Sequence, residues 1–143
     1  MSSVSFVIPV YNKSRFLNFV VNSLISQKGS FEREFIFIDD GSTDNSYTKL
    51  KNLTRNLKNC KILKQKNNGS AHATNVGIKL AKMKYIKFLD ADDILLKDAT
   101  ASLIRILEND NSLVLAYGLQ RKVSNLKSVD LSERFTIAKV GFV

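Results

Sequence analysis

Two short runs, Ser5-Phe6-Val7-Ile8-Pro9-Val10 and Glu34-Phe35-Ile36-Phe37-Ile38, are apolar at nearly every position, and each gives way to a polar break and then an amphipathic stretch. A strand that is apolar on both faces has to be covered on both faces, which is the condition of a parallel sheet crossed over by helices. After the first run, Phe16, Leu17, Val20, Val21, Leu24 and Ile25 recur at helical spacing between Ser14 and Gln27, and Gly29 follows as a stop. After the second, the loop Asp39-Asp40-Gly41-Ser42-Thr43-Asp44 leads into a helical pattern carrying Tyr47, Leu50, Leu53 and Leu57. The alternation continues with a third strand from Cys60 to Leu63, a turn at Asn67-Asn68-Gly69-Ser70, and a helix from Ala71 to Met83 that carries Val76, Ile78 and Leu80. Tyr85 to Leu89 reads as a fourth strand ending in Asp90-Ala91-Asp92-Asp93; a helix carrying Leu103, Ile104, Ile106 and Leu107 follows, then a fifth strand from Leu113 to Tyr117. The fold class is therefore α/β, and 143 residues suffice for one such domain.

The rest of the composition excludes more than it selects. One cysteine, Cys60, rules out an internal disulfide framework, and one histidine, His72, rules out zinc sites built from His and Cys clusters. Val4 to Val10 is too short and interrupted for a signal peptide or a membrane span, so a cytoplasmic setting is expected. A formal charge of +9 invites an anionic partner, with the inner face of an anionic membrane as one docking place. The lysines are spread over helices and strand ends rather than grouped with aromatics, and no nucleic-acid recognition motif occurs, so no nucleic-acid partner is expected. Neither G-x-G-x-x-G after the first strand nor G-x-x-x-x-G-K-[ST] is present, which argues against a dinucleotide-dependent dehydrogenase and a P-loop enzyme.

In open α/β sheets, ligands bind beyond the carboxyl ends of the strands. Those positions here hold Tyr11 and Asn12, then Asp39 and Asp40, then Asn67, Asn68 and Gly69, then Asp90, Asp92 and Asp93. Five carboxylates on one edge repel one another unless a cation or a set of hydrogen-bond donors neutralises them. Each acidic segment read alone is also an ordinary turn with helix-capping aspartates. Read together, oxygen ligands without a spare histidine suit Mg²⁺ or Mn²⁺, ions that complete their shell with water and phosphate oxygens, which suggests a nucleoside diphosphate. His72 reads as a packing or surface residue and Cys60 as inert core.

The order and wording of four segments resemble the family-2 glycosyltransferases of GT-A fold: residues 5–12, residues 35–46, Asn67-Asn68-Gly69 with Asn75-Val76-Gly77-Ile78, and residues 85–93. The resemblance implies a Rossmann-like, mostly parallel central sheet with helices on both faces. It implies a nucleotide-sugar-binding domain over residues 1–123, with residues 124–143 beginning an acceptor-side region that is cut short. Position by position, it places Pro9, Val10 and Tyr11 beside a uracil or similar ring. It makes Asp40 a contact of the base and Asp39 the support of that loop, and adds Asn68, Gly69 and Ala91 to the nucleotide-binding set. Asp90-Ala91-Asp92 matches the DXD element, with Asp90 toward ribose or metal and Asp92 the ligand of a Mn²⁺ or Mg²⁺ that bridges to the diphosphate.

The activity so implied is transfer of a sugar from a nucleoside-diphosphate donor, UDP-linked, to the hydroxyl of a saccharide or lipid-linked acceptor, with inversion, in cell-surface polysaccharide or glycoconjugate synthesis. Two departures stand out. Thr74 occupies a position where the family often has Arg, so lysines would have to serve the diphosphate. No catalytic base is identified, since Asp130 and Glu133 are the only acids beyond residue 118 and neither matches a family element. The alternative is a shortened module that binds the nucleotide sugar without turnover.

Overall fold

The structure is a computed structural model that describes residues 1–125, 127 and 129–131. Among the described residues eight elements follow in strict alternation: β1 (Ser2–Val10), α1 (Leu17–Ile25), β2 (Phe31–Asp39), α2 (Ser46–Thr54), β3 (Cys60–Lys64), α3 (Ser70–Leu80), β4 (Tyr85–Phe88) and α4 (Ala99–Asn109). The strands form one sheet in the order β3-β2-β1-β4, and every pairing is parallel. All four carboxyl ends therefore lie along one edge.

The continuous apolar runs are explained by two cores. Phe6, Ile8 and Val10 of β1 join Phe35 and Phe37 of β2 on one face, packed with Leu17, Val20, Val21 and Leu24 of α1, Leu50 of α2 and Ile104 of α4. Phe6 and Phe35, partners in the strand register, stack with ring centroids 5.5 Å apart. On the other face Val7, Ile36 and Ile38 pack with Ala73, and Val76 and Leu80 of α3 close over them. Helices thus cover both faces, as the sequence demands. At β4, however, Ile86 and Phe88 remain 38% and 49% exposed, because Phe88 lies in register with Val7 on the α3 side and α3 packs on β1 and β2.

A proline inside a strand flanked on both sides needs an explanation, because it lacks the N–H that a ladder requires. Val7 accepts from the Leu89 N–H and Val10 from the Asp40 N–H, so odd positions of β1 point toward β4 and even ones toward β2. Pro9 points to the β4 side, where the ladder has already ended at the Val7–Phe88 pair. Its missing N–H costs nothing there.

Below the sheet, Glu34 is almost wholly buried. Its carboxylate accepts hydrogen bonds from Ser5 Oγ (2.7 Å), Lys61 Nζ (2.7 Å) and the Lys82 N–H (3.0 Å), tying β1, β2, β3 and the entry to β4. Burial alone would raise its pKa, but the bonds from Lys61, Ser5 and Lys82 and the Lys61 charge outweigh burial and hold it below its ordinary 4.5. A depressed carboxylate contributes stability above its unfolded pKa and loses it as pH falls through the folded value. Glu34→Gln is therefore expected to cost about 1–2 kcal/mol at neutral pH, and its deficit in melting temperature should shrink as the pH drops below about 4.5. A deficit that stays constant across a pH series of thermal melts would refute this account.

One element differs from expectation. Residues 113–117 form no strand, and Val114, Leu115 and Tyr117 stand 89%, 60% and 49% exposed. A run of strand-forming residues pairs only where an edge is available, and among the described residues none lies alongside it. Helix α1 is also shorter than the apolar pattern, because the N–H groups of Lys13 and Ser14 bond Ser46 Oγ at the start of α2 and Asp44 Oδ2 in the β2–α2 loop. Its far end gives way to Gln27, a buried amide bonded to Ser23 O, Leu96 O and Thr100, which fastens α1 to α4.

Candidate functional site

The carboxyl edge of the sheet is built from four loops, and two of them are joined by a single amide. Asn12, in the left-handed region at φ 52°, accepts at Oδ1 from the Thr43 N–H (2.8 Å) and the Asp44 N–H (3.3 Å). Its own N–H donates to Ser42 Oγ at 3.0 Å. Asparagine suits both demands, since it tolerates positive φ and its short side chain bonds nearby backbone. The loops after β1 and β2 consequently form one unit.

The two acids after β2 are both buried, and they do different things. Asp39 Oδ1 accepts from the Ser42 N–H at 3.1 Å and shapes its own loop, while its enclosed Oδ2 has no partner among the described residues. Asp40 faces the next loop: Oδ1 accepts from Gln65 Nε2 (2.7 Å) and the Asn68 N–H (2.9 Å), and Oδ2 from the Gly69 N–H (2.8 Å). Burial acts to raise the Asp40 pKa, yet the donations from Asn68, Gln65 and Gly69 prevail and keep it ionised below the usual carboxylate range. Gln65 Nε2 also lies 3.0 Å from His72 Nδ1, which places the exposed His72 at the rim rather than in the core.

Glycine is required where these loops meet. A Cβ on Gly41, at φ 74°, would stand 2.8 Å from Asn67 N, so only a glycine lets the β2–α2 loop pass under the β3–α3 loop. Gly69 adopts φ 91° as the N-cap of α3.

After β4 the chain turns through Asp90, Ala91, Asp92 and Asp93, with Ala91 buried and Asp90 exposed. Lys13 Nζ, from the loop after β1, is ion-paired with Asp92 Oδ2. Asp93 has its pKa raised, first by burial and then by the charges of Asp90 and Asp92, with Lys13 and Lys87 opposing. Three acids crowded in this way suit an added cation, and the Lys13 ammonium already occupies one such position. Among the described residues no three His, Cys, Asp or Glu side chains converge into a self-sufficient metal site. Carboxylate oxygens are the ligand type of a hard cation, and one bound here would take one or two of them and complete its shell with water and phosphate.

The sequence-expected residues thus assemble on one edge in different capacities. Tyr11 is 46% exposed and available for stacking. Val10 has its side chain in the core, and its carbonyl accepts from the Asp40 N–H. Asn68 and Gly69 offer their N–H groups to Asp40. Sequence reasoning placed Asn12 at the strand end without a role, took Gly41 as part of an ordinary loop, and passed over Lys13 and Gln65. Lys13 could have been found by the strand-end rule that picked out Tyr11, but Gln65 and Gly41 act on loops distant in sequence. Glu133 lies outside the described residues, as does most of residues 124–143.

A parallel α/β sheet with polar, acidic loops along its carboxyl edge defines a class of proteins that bind their ligands at that edge, and comparison with known proteins narrows it. The sequence profile described as glycosyl transferase family 2 matches residues 5–141, and the chain belongs to that family. It is 32% identical over 149 aligned residues to the Staphylococcus aureus (strain N315) poly(ribitol-phosphate) beta-N-acetylglucosaminyltransferase TarP, covering 100% of this chain and 45% of that protein. It is 33% identical over 121 residues to the Pasteurella multocida (strain Pm70) chondroitin synthase, covering 85% of this chain and 12% of the synthase. Among solved structures, S. aureus TarS 1-349 in complex with UDP superposes with a TM-score of 0.67 at 27% identity, over 76% of this chain and 32% of that one. The fold is that of the GT-A enzymes. The chain spans less than half the length of the curated relatives it matches, 47% of a Haemophilus influenzae glycosyltransferase and 45% of TarP among them. No helix among the described residues is long and apolar enough to cross a membrane.

Proposed function

We propose that residues 1–123 are the donor-binding domain of a glycosyltransferase that moves a sugar from a UDP-linked donor to an acceptor hydroxyl in cell-surface polymer synthesis, and that residues 124–143 begin its acceptor side. The observation that carries this reading is the joining of the acidic strand ends into one edge. Asn12 fixes the first two loops, Asp40 fixes the third, and Lys13 reaches the fourth. Family membership and the UDP complexes of TarS support it.

In this proposal Tyr11 stacks on the uracil, with Pro9 and the Val10 backbone setting the strand end beneath it. Asp40 keeps a free lone pair at Oδ2 for a base N–H, Asp39 holds the loop, and Asn68 and Gly69 frame the pocket. Asp90 faces the ribose, Ala91 keeps the turn compact, and Asp90 and Asp92 are the residues that would hold Mn²⁺ or Mg²⁺. When bound, such an ion supplies charge stabilisation to the diphosphate leaving group. Lys13, in place of the arginine absent at Thr74, adds a second positive charge to the same phosphates as the C1–O bond breaks. The acceptor oxygen attacks C1 in line from the opposite side, which inverts the configuration, and its proton passes to a base that lies on no residue assigned among those described.

Calorimetric titration of UDP tests the reading. Binding is expected with Mn²⁺, and it should fall sharply with EDTA or in Asp92→Ala. Lys13→Ala should weaken it about tenfold, or roughly 1.4 kcal/mol. A folded protein that gives no UDP heat in any condition would overturn the donor assignment. Binding without transfer to any acceptor would leave a nucleotide-sugar-binding module in its place.

A further inference from the structure

The net charge of +9 has a single origin. Residues 45 to 89 hold eleven Lys and Arg and no Asp or Glu, whereas the remaining residues hold eleven against thirteen. That block builds α2, β3, α3 and β4, and β3 is an outer strand of the sheet. Lys61 is engaged by Glu34. Lys51, Arg55, Lys58, Lys64 and Lys66 are exposed, and among the described residues no carboxylate pairs with them.

Between α2 and β3 lies a shallow groove of about 390 Å³, whose lining includes Tyr47, Lys51, Arg55, Leu57 and Cys60. Contrary to the reading that lysines and aromatics stay apart, two ammonium groups converge on one ring: Lys64 Nζ lies 5.0 Å and Lys51 Nζ 5.6 Å from the Tyr47 centroid. Like charges so gathered, with no acid in the block to offset them, raise the local positive potential. One end of the groove abuts the donor loops. Lys64 pairs in register with Asp39, and the next residue, Gln65, donates its N–H to the Asp39 carbonyl and its side chain to Asp40.

We infer that this groove binds a polyanionic acceptor chain, a phosphate-bearing glycan polymer, and leads it to the donor-binding edge. Several cations spread over a helix and a strand match repeating charges better than one small anion. Arg55, Lys51 and Tyr47 follow one another at four-residue spacing along α2 and lead to Lys64 beside Asp39, a linear track that suits a chain more than a planar array of headgroups. Tyr47 is half-buried and its ring already carries the Lys51 and Lys64 ammonium groups, which disfavours base stacking and hence single-stranded nucleic acid. The inference rests on the glycosyltransferase reading for the identity of its ligand.

The test uses long-chain inorganic polyphosphate as the probe, followed by fluorescence anisotropy over a salt series. The variant Lys51→Gln/Arg55→Gln/Lys64→Gln is expected to bind at least tenfold more weakly, with the slope of log K against log salt reduced by about two. A control of equal charge loss elsewhere, Lys28→Gln/Lys97→Gln/Arg105→Gln, should change affinity less than threefold. UDP titration should be unchanged in the groove variant, which shows it folded, and Arg55→Glu alone repeats the test by reversing one exposed charge. Equal losses in both triple variants would reduce the effect to net charge and overturn the proposal. So would tenfold tighter binding of single-stranded RNA of matched charge, or capture by vesicles containing anionic lipid without polyphosphate binding. If wild type fails to bind UDP yet binds polyphosphate through these residues, the donor reading fails and the groove stands.

Discussion

Replacing Asp40 with alanine should abolish measurable UDP binding and lower stability by about 2–3 kcal/mol. The carboxylate accepts from two backbone N–H groups and one side-chain amide, all on the β3–α3 loop. Hydrogen bonds to a charged acceptor are worth about 1.5–3 kcal/mol each, and their sum would exceed the figure given. Asn68 and Gly69 are exposed, however, so water takes over part of what the carboxylate gave. The more conservative Asp40→Asn separates charge from shape. Its Oδ1 still accepts, but its NH₂ faces a donor N–H, so an intermediate loss of stability is expected. Thermal melts and UDP titration on the same preparations check both, and an Asp40→Ala protein that binds UDP as wild type would show that the loop is held by other means.

The second large effect lies where α3 packs on the sheet. Gly77→Ala exchanges a poor helix former for the best one inside α3, a gain of up to about 1 kcal/mol by propensity alone. Sterics reverse the sign, because a Cβ on Gly77 would meet Val7 Cγ1 at 2.4 Å. Val7 is fully buried at the centre of the sheet between Ile36 and Ala73, so α3 has to lift or β1 has to bend. Overpacking of this kind costs about 1–3 kcal/mol, and the single mutant is expected near the upper end. Adding Val7→Ala vacates the contested space. The double mutant should then be more stable than the sum of the two single losses by at least about 1 kcal/mol. Additive losses from denaturant unfolding would remove this contact as the reason for a glycine at position 77.

Much of this architecture was legible before any coordinates because local pattern and global fold agree. The runs at Phe6–Val10 and Phe35–Ile38 demand two covered faces, and two cores are found there. The acidic strand ends were visible because a parallel sheet places every carboxyl end on one side. What sequence could not supply was partnership. The apolar run at residues 113–117 has strand composition but no edge beside it among the described residues. Asp40 reads as a ligand contact, yet its first task is to hold Asn68 and Gly69, residues that share no local pattern with it. Gly41 resembles any turn glycine until Asn67 is found where its side chain would be. Lys13 is one more lysine among sixteen in the sequence, and only tertiary structure aims it at Asp92.

The Asn12 clamp carries a thermodynamic consequence. Since the β1–α1 and β2–α2 loops are immobilised by the chain's own amide and hydroxyl groups, their configurational entropy is surrendered during folding, before any nucleotide arrives. Binding to such a surface requires little further ordering of the backbone there. On the proposed donor reading, the heat-capacity change of UDP binding should then track the small apolar area that a uracil ring covers, without the large negative excess that accompanies coupled folding.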